Sequence, residues 1–262
     1  MRASRRDFVG IFVEGPSDAS MWRRWLRWEP VAAGGKAGVL AAIASVAQAN
    51  VPGCVGIVDA DFDRIDGTLP SSNDVVVSES HDIECDLARS PALDAVLAEV
   101  ADEAAIQRLS GTAQTFRDAL AERALPFGLL RWTFLARGIP YPGPRLGPFV
   151  HVERMTWAVR EDALRDDAAR VLGITRTDLD TDLATRRARV ADLWHACNGH
   201  DVVDLLALAF REPLGKPKAF PNVEAVSMAL RLALDSADRE ALAIWRELGK
   251  WEARRAPFIV RR

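Results

Sequence analysis

Three acidic side chains stand where apolar runs end. Glu14 follows Phe8-Val-Gly-Ile-Phe-Val13, and Asp59 and Asp61 follow Val55-Gly-Ile-Val58. Two carboxylates two positions apart, just past a strand, turn toward one cation if the chain kinks there. Their hard oxygens suit magnesium, with manganese as a substitute. A divalent ion held in this way bridges a phosphate, stabilises developing negative charge and activates water. Glu14, on a neighbouring strand end, is then a further ligand or the proton-transfer group. More acids crowd the same stretch: Asp63, Asp66, Asp74, Glu79, Asp82, Glu84 and Asp86 follow the Asp59/Asp61 pair, against the single base Arg64. Such a cluster beside apolar strands needs open solvent or a cation. Asp63, Asp82 and Glu84 are therefore added to Glu14, Asp59 and Asp61 as candidate metal ligands.

Rival readings are checked on the same residues. A calcium-binding EF-hand loop needs Gly at its sixth position and Glu at its twelfth. Counting from Asp59, those positions hold Arg64 and Pro70, so that reading fails. An aspartyl-phosphate phosphatase uses a strand-end Asp pair followed by small residues, which Phe62-Asp63 fits poorly. An Asp-rich turn without metal stays open. Asp82 and Glu84 also suit a helix N-terminus, where the dipole favours acids. His81 reads equally as an orienting hydrogen-bond partner or a catalytic group. Lys36, after Gly34-Gly35, is placed to meet a phosphate, although no Walker A pattern surrounds it.

Elements must bring these groups together. The runs Phe8–Val13, Val31–Ala33, Val55–Val58 and Val75–Val77 read as strands, and Ala19–Glu29 and Ala37–Asn50 as helices between them. Strand and helix alternate up to residue 90, which predicts a parallel sheet with right-handed helical crossovers. Working groups in such sheets lie beyond the carboxyl ends of the strands. Glu14, Asp59, Asp61 and His81–Glu84 all fall there. Ser90-Pro91 marks the expected boundary between an α/β domain, 1–90, and a mostly helical domain, 91–262. Within the second, 92–120 reads as helix and 126–150, rich in Pro, Gly and aromatics, as an irregular connector. Helices are expected at Asp162–Gly173, Asp178–Trp194, Asp201–Phe210, Val223–Leu234 and Ser236–Ala256, with a break at Gly215–Lys218. Trp22, Trp25 and Trp28, three apart, read as packing residues, and His200 and Asp201 as anchors of the helix that follows.

Composition bounds the class. The chain has 262 residues, a formal net charge of −3 and 49% hydrophobic residues, the mix of a globular protein. No apolar run is long enough to span a membrane. The apolar stretch after Arg2, Arg5 and Arg6 meets Glu14 too soon for a secretory signal. Cys54, Cys85 and Cys197 are scattered and odd in number, which fits a reducing cytoplasm and leaves no zinc pattern. The basic C-terminal residues Lys250, Arg254, Arg255, Arg261 and Arg262 read as solvated, with polyanion contact as the rarer use.

Phe12-Val-Glu-Gly-Pro-Ser-Asp18, a helix, Gly34-Gly35-Lys36 and then Gly56-Ile-Val-Asp-Ala-Asp61 resemble the Toprim domain, over roughly residues 8–90. That domain is shared by topoisomerases, bacterial primases and the overcoming-lysogenization-defect nucleases. His81-Asp-Ile-Glu84 and Asn198-Gly-His-Asp201 are similar to a Toprim-containing family encoded beside ABC-type ATPases, with relatives among the AriB effectors of PARIS anti-phage defence. The resemblance implies a Toprim, Rossmann-like α/β fold, with Glu14 as general acid/base and Asp59 and Asp61 holding magnesium. Glu84 would complete the catalytic set, and Lys36 and His81 would contact nucleic acid. It further implies a metal-dependent nuclease acting on DNA or on RNA, tRNA included, with an ABC-type ATPase as partner. A non-catalytic module docking on the ATPase and a small-molecule phosphatase are the rival functions, and a homo-oligomer stays open.

Overall fold

The computed structural model describes residues 9–111, 115–141, 143, 145–153, 156–211, 214, 222–254 and 259–260. The basic residues Arg2, Arg5, Arg6, Arg255, Arg261 and Arg262 and the break at Gly215–Lys218 lie outside these. Four strands, β1 (Gly10–Val13), β2 (Val31–Ala32), β3 (Cys54–Val58) and β4 (Val75–Val77), form one sheet in the order β2-β1-β3-β4, every pair parallel. This is the α/β fold expected from the alternation. β3 is buried at all five positions, as a central parallel strand covered on both faces must be.

Helices join the strands. α1 (Pro16–Arg23) starts with Pro at its first position, and the Asp18 carboxylate accepts the Gly15 N–H at 2.8 Å. It ends six residues short of the expected Glu29, so Trp22 and Trp25 are buried while Trp28 is 47% exposed. α2 (Lys36–Gln48) crosses over β3 so closely that a Cβ on Gly56 would lie 2.7 Å from Val39 Cγ1. A short α3 (Asp63–Asp66) precedes β4, and α4 (Ile83–Arg89) follows it. The stretch expected as one helix at 92–120 is broken into α5 (Pro91–Val100), α6 (Glu103–Ser110) and the start of α7 (Phe116–Ala136). Ser90, Asp102 and Thr115 cap these three helices in turn with side-chain oxygens, which is why each restarts where it does.

α7 corrects the reading of 126–150 as a connector. It runs through Pro126, because the helix is anchored on both sides by buried Ala124, Phe127, Leu130 and Phe134. Loss of one backbone bond at the proline is outweighed by that burial. Strand begins only at the last residue of that stretch: β5 (Val150–Glu153) and β6 (Thr156–Val159) form an antiparallel hairpin. α8 (Glu161–Leu172) follows. α9 (Arg176–Arg187) stops seven residues before the expected Trp194. α10 (Gly199–Arg211) and α11 (Val223–Ala233) come next. The last expected helix is two, α12 (Ser236–Ala241) and α13 (Ala243–Arg254).

The chain divides into two compact units, cut differently from the expected boundary at residue 90. Unit one takes the described residues up to Ala60, Thr68–Glu79 and the segment from Ser236 on; unit two takes Asp61–Gly67 and Ser80–Asp235. Unit one holds the sheet, α1, α2, α12 and α13. Its C-terminal segment returns to it: the Trp251 indole donates to Asp74 at 3.0 Å, and buried Glu252 accepts the N–H groups of Ile259 and Val260 at 2.5 and 2.8 Å. Arg27 donates in turn to the carbonyls of Ile259 and Val260. Unit two packs α7 against α10, with Phe127, Leu130, Leu205, Leu206 and Phe210 buried. Cys54, Cys85 and Cys197 are free and buried, and burial raises the pKa of each thiol. Among the described residues no helix is long and apolar enough to cross a membrane.

Gly128 marks the tightest approach in unit two: a Cβ there would lie 1.8 Å from the Ala196 carbonyl oxygen. Gly128→Ala must push backbone apart and is expected to destabilise the fold by about 2 kcal/mol or more. Urea unfolding of the variant against wild type measures this.

Candidate active site at the strand ends

The carboxyl ends of the four parallel strands form one rim of unit one. β1 delivers Glu14 and β3 delivers Asp59, both half-buried. Glu14 Oε1 accepts the Asp59 backbone N–H at 2.9 Å, so the structure brings these two acids together across 45 residues of sequence. After β2, Gly34 and Gly35 take φ of 80° and 97°, a conformation that side chains disfavour, and both donate N–H to the Glu14 carbonyl, at 3.1 and 2.8 Å. This turn places Lys36 at the start of α2, where its Nζ donates to the Ala60 carbonyl at 3.3 Å. After β4, Ser78 Oγ accepts the Ala60 N–H at 2.8 Å. Sequence reading missed Ser78, although its place at a strand end is the same signal that singled out the acids.

Asp61 opens unit two. It is one of two described non-glycine residues at positive φ, 49°, which costs about 1 kcal/mol. The N–H of Asp61 donates to the His81 carbonyl at 2.7 Å, which holds the kink that the Asp-Ala-Asp reading requires. His81 Nε2 lies 3.9 Å from Asp61 Oδ1 and 3.4 Å from Asn198 Nδ2, and the ring packs edge-on against Phe62. At 3% exposure His81 presents little surface for the nucleic-acid contact expected of it.

Asp82 and Glu84 belong to the start of α4. Asp82 caps α4: one carboxylate oxygen accepts the Cys85 N–H at 2.9 Å and the other the Gly199 N–H at 2.6 Å. Both oxygens therefore serve the backbone of α4 and of α10, and the helix-start reading of Asp82 replaces the metal reading. Glu84 sits in the first turn of α4, its Cβ pressed on Gly199, where an added Cβ would approach to 2.5 Å. Asp63 is in the first turn of α3. Asp201 is 2% exposed and takes both of its oxygens to Arg131, at 2.7 Å each. Burial works against the Arg131 charge, but the hydrogen bonds and charge of Asp201 hold its pKa above the usual value. This pair anchors α10 to α7, the structural role expected of Asp201.

A second cluster that sequence reading missed holds the residues after Asp61. Trp132 of α7 stacks on Phe62 with ring centroids 5.5 Å apart, and its indole N–H donates to Asp66 at 3.2 Å. The guanidinium groups of Arg186 and Arg189 lie 5.0 and 4.8 Å from the Trp132 ring centre, and Arg189 also donates to Asp66 at 2.8 Å. No local spacing announces contacts between residues so far apart in the chain.

Among the described residues, no three His, Cys, Asp or Glu side chains come together as a ready-made metal cage. Magnesium does not need one. It takes one or two protein carboxylates and completes its shell with water and phosphate. The all-oxygen rim of Glu14 and Asp59 in unit one fits an ion of that kind.

No family model, no curated protein and no solved structure matches the chain.

Three substitutions read these hydrogen bonds by stability. Glu14→Ala removes the acceptor of the Asp59 N–H and is expected to cost about 1–2 kcal/mol, while Glu14→Gln keeps an acceptor oxygen and costs about half as much. Asp82→Ala orphans two buried N–H groups at once, for about 2–4 kcal/mol. Chemical unfolding of the three variants checks both, and an Asp82→Ala protein as stable as wild type would refute the cap.

Proposed function

We propose that the chain is a magnesium-dependent phosphodiester hydrolase acting on nucleic acid, a nuclease of Toprim type. The observation that carries this reading is the meeting of Glu14 with the Asp59 N–H at the carboxyl end of a parallel sheet. In an α/β sheet that edge is where ligands are bound. Asp59, with Glu14, would hold the magnesium or manganese ion. When bound, the ion supplies charge stabilisation at the scissile phosphate and a more acidic water.

The chain's own residues do the rest. Glu14 carries the proton of the attacking water or of the leaving oxygen. Its hydrogen bond from the Asp59 N–H fixes the Glu14 carboxylate at the exit of β3. Lys36, at the head of α2, brings a cation to the same rim for the phosphate backbone. The left-handed turn at Asp61, held by the His81 carbonyl, sets the direction in which the Asp-x-Asp segment leaves the strand. By the Toprim resemblance the substrate is RNA, tRNA included, or DNA. By the same resemblance an ABC-type ATPase is the partner, the chain being the effector of an anti-phage system.

A second reading rests on the structural use of Glu14, whose carboxylate already accepts the Asp59 N–H. On it the acid cluster binds metal or nucleotide without cutting and serves as a module that docks on an ATPase. One experiment separates the two. Purified wild type, Asp59→Asn and Glu14→Gln are incubated with DNA, RNA and tRNA in magnesium, in manganese and in chelator, each with and without a co-encoded ATPase. The nuclease reading expects chelator-sensitive cleavage by wild type that falls about a hundredfold or more in each variant. A variant that cuts as well as wild type overturns the assignment. Wild type inert in every condition favours the docking module.

A further inference from the structure

Unit two holds a second concave site. α7, α8 and α9 line a half-open cavity of about 320 Å³. That volume is within the range of small-molecule pockets. Its floor is apolar: Leu129, Leu130, Leu164 and Leu183 line it, and each is buried. Its rim is ionic. Arg165 pairs with both Glu161 and Asp180, and Asp180 is also held by Arg176 at 3.1 Å, so each of these charges has a partner. Two further rim charges differ. Among the described residues neither the Glu122 carboxylate nor the Arg187 guanidinium has an ion-pair partner, and Arg187 donates only to the Val190 carbonyl, at 3.3 Å.

Pro126 sharpens this asymmetry. It lines the same cavity one turn after Glu122, and it has no N–H with which to close the helix onto the Glu122 carbonyl. Glu122 thus carries two acceptors, a carboxylate and a backbone carbonyl, and Arg187 carries donors. An apolar ligand with one charge would cover the opposite rim charge and strip its water without replacing it. A ligand with both charges satisfies both.

We propose that this cavity binds a small zwitterion carrying a bulky apolar group, the chemistry of a large apolar amino acid. Its ammonium meets Glu122, its carboxylate meets Arg187, and its apolar group occupies the leucine floor. The site is independent of the strand-end chemistry and stands or falls without it.

Titration calorimetry on the full chain tests the assignment with three probes of one shape: phenylalanine, phenethylamine, which lacks the carboxylate, and 3-phenylpropionate, which lacks the ammonium. Phenylalanine is expected to bind about tenfold more tightly than either analogue. Glu122→Gln is expected to erase its advantage over 3-phenylpropionate, and Arg187→Gln its advantage over phenethylamine. Both positions are exposed, so the variants are expected to melt like wild type. The proposal is overturned by no binding of any probe up to about 10 mM, by equal affinity for all three, or by a phenylalanine preference that survives both variants.

Discussion

The backbone N–H of Asp59 must find an acceptor as β3 leaves the core, and it finds the Glu14 carboxylate. That bond follows from parallel pairing. Gly10, Ile11 and Phe12 of β1 stand opposite Cys54, Val55 and Gly56 of β3, so the residues after both strands emerge at one edge. Because β3 is wholly buried, every polar group at its exit has to be satisfied nearby. The next N–H, that of Ala60, goes to Ser78, and the Val58 carbonyl accepts the Ser78 N–H. The acid at the centre of the proposed chemistry is therefore also a structural acceptor. A carboxylate so engaged is held in one orientation, which is what a positioned catalytic group needs.

Unit two solves the same problem with other groups. Its buried acids each meet donors: Asp82 takes two backbone N–H groups, Asp86 takes the Ser80 N–H at 2.7 Å, and Asp201 takes the Arg131 guanidinium. Asp82 caps α4, Asp86 within that helix holds the chain just before it, and Asp201 fixes α10 to α7. Their charge is thus consumed by architecture, although in the sequence they stand out as acids just as Glu14 and Asp59 do. The Trp132 cluster adds a lever on Asp61. The stacked Phe62 and the Asp66 carboxylate are both tied to α7 and α9 side chains, so the residues just after the left-handed turn are fixed at several points.

The sheet was legible because its strands are short, apolar and β-branched, and because Gly and Asp punctuate their ends. Glu14 and Asp59 were legible for the same reason. What escaped was long-range. Pro126 reads locally as a breaker, and only the burial of Phe127, Leu130 and Phe134 reveals that α7 continues. The division at residue 90 assumed that a domain is contiguous, whereas α13 and Glu252 belong with the first strands. Trp132, Arg186 and Arg189 gave no signal because a cation–π contact depends on which helices meet, not on spacing within either. Asp82 could be read two ways, and its two backbone donors, one of them at Gly199, decide between them.

The return of the C-terminal segment to unit one bears on how the molecule is made. Ribosomes release the chain from its N-terminus, so the strands are synthesised long before Glu252, Ile259 and Val260 exist. Unit two, which is nearly contiguous from Ser80 to Asp235, is complete while unit one still lacks its closing segment. The inserted unit is thus the natural first folder during synthesis, and the sheet waits with Leu26 and Arg27 unmatched until the last residues arrive. A nascent chain stalled before residue 236 would carry a finished helical body on an unsealed sheet, and quality control would meet the protein in that form.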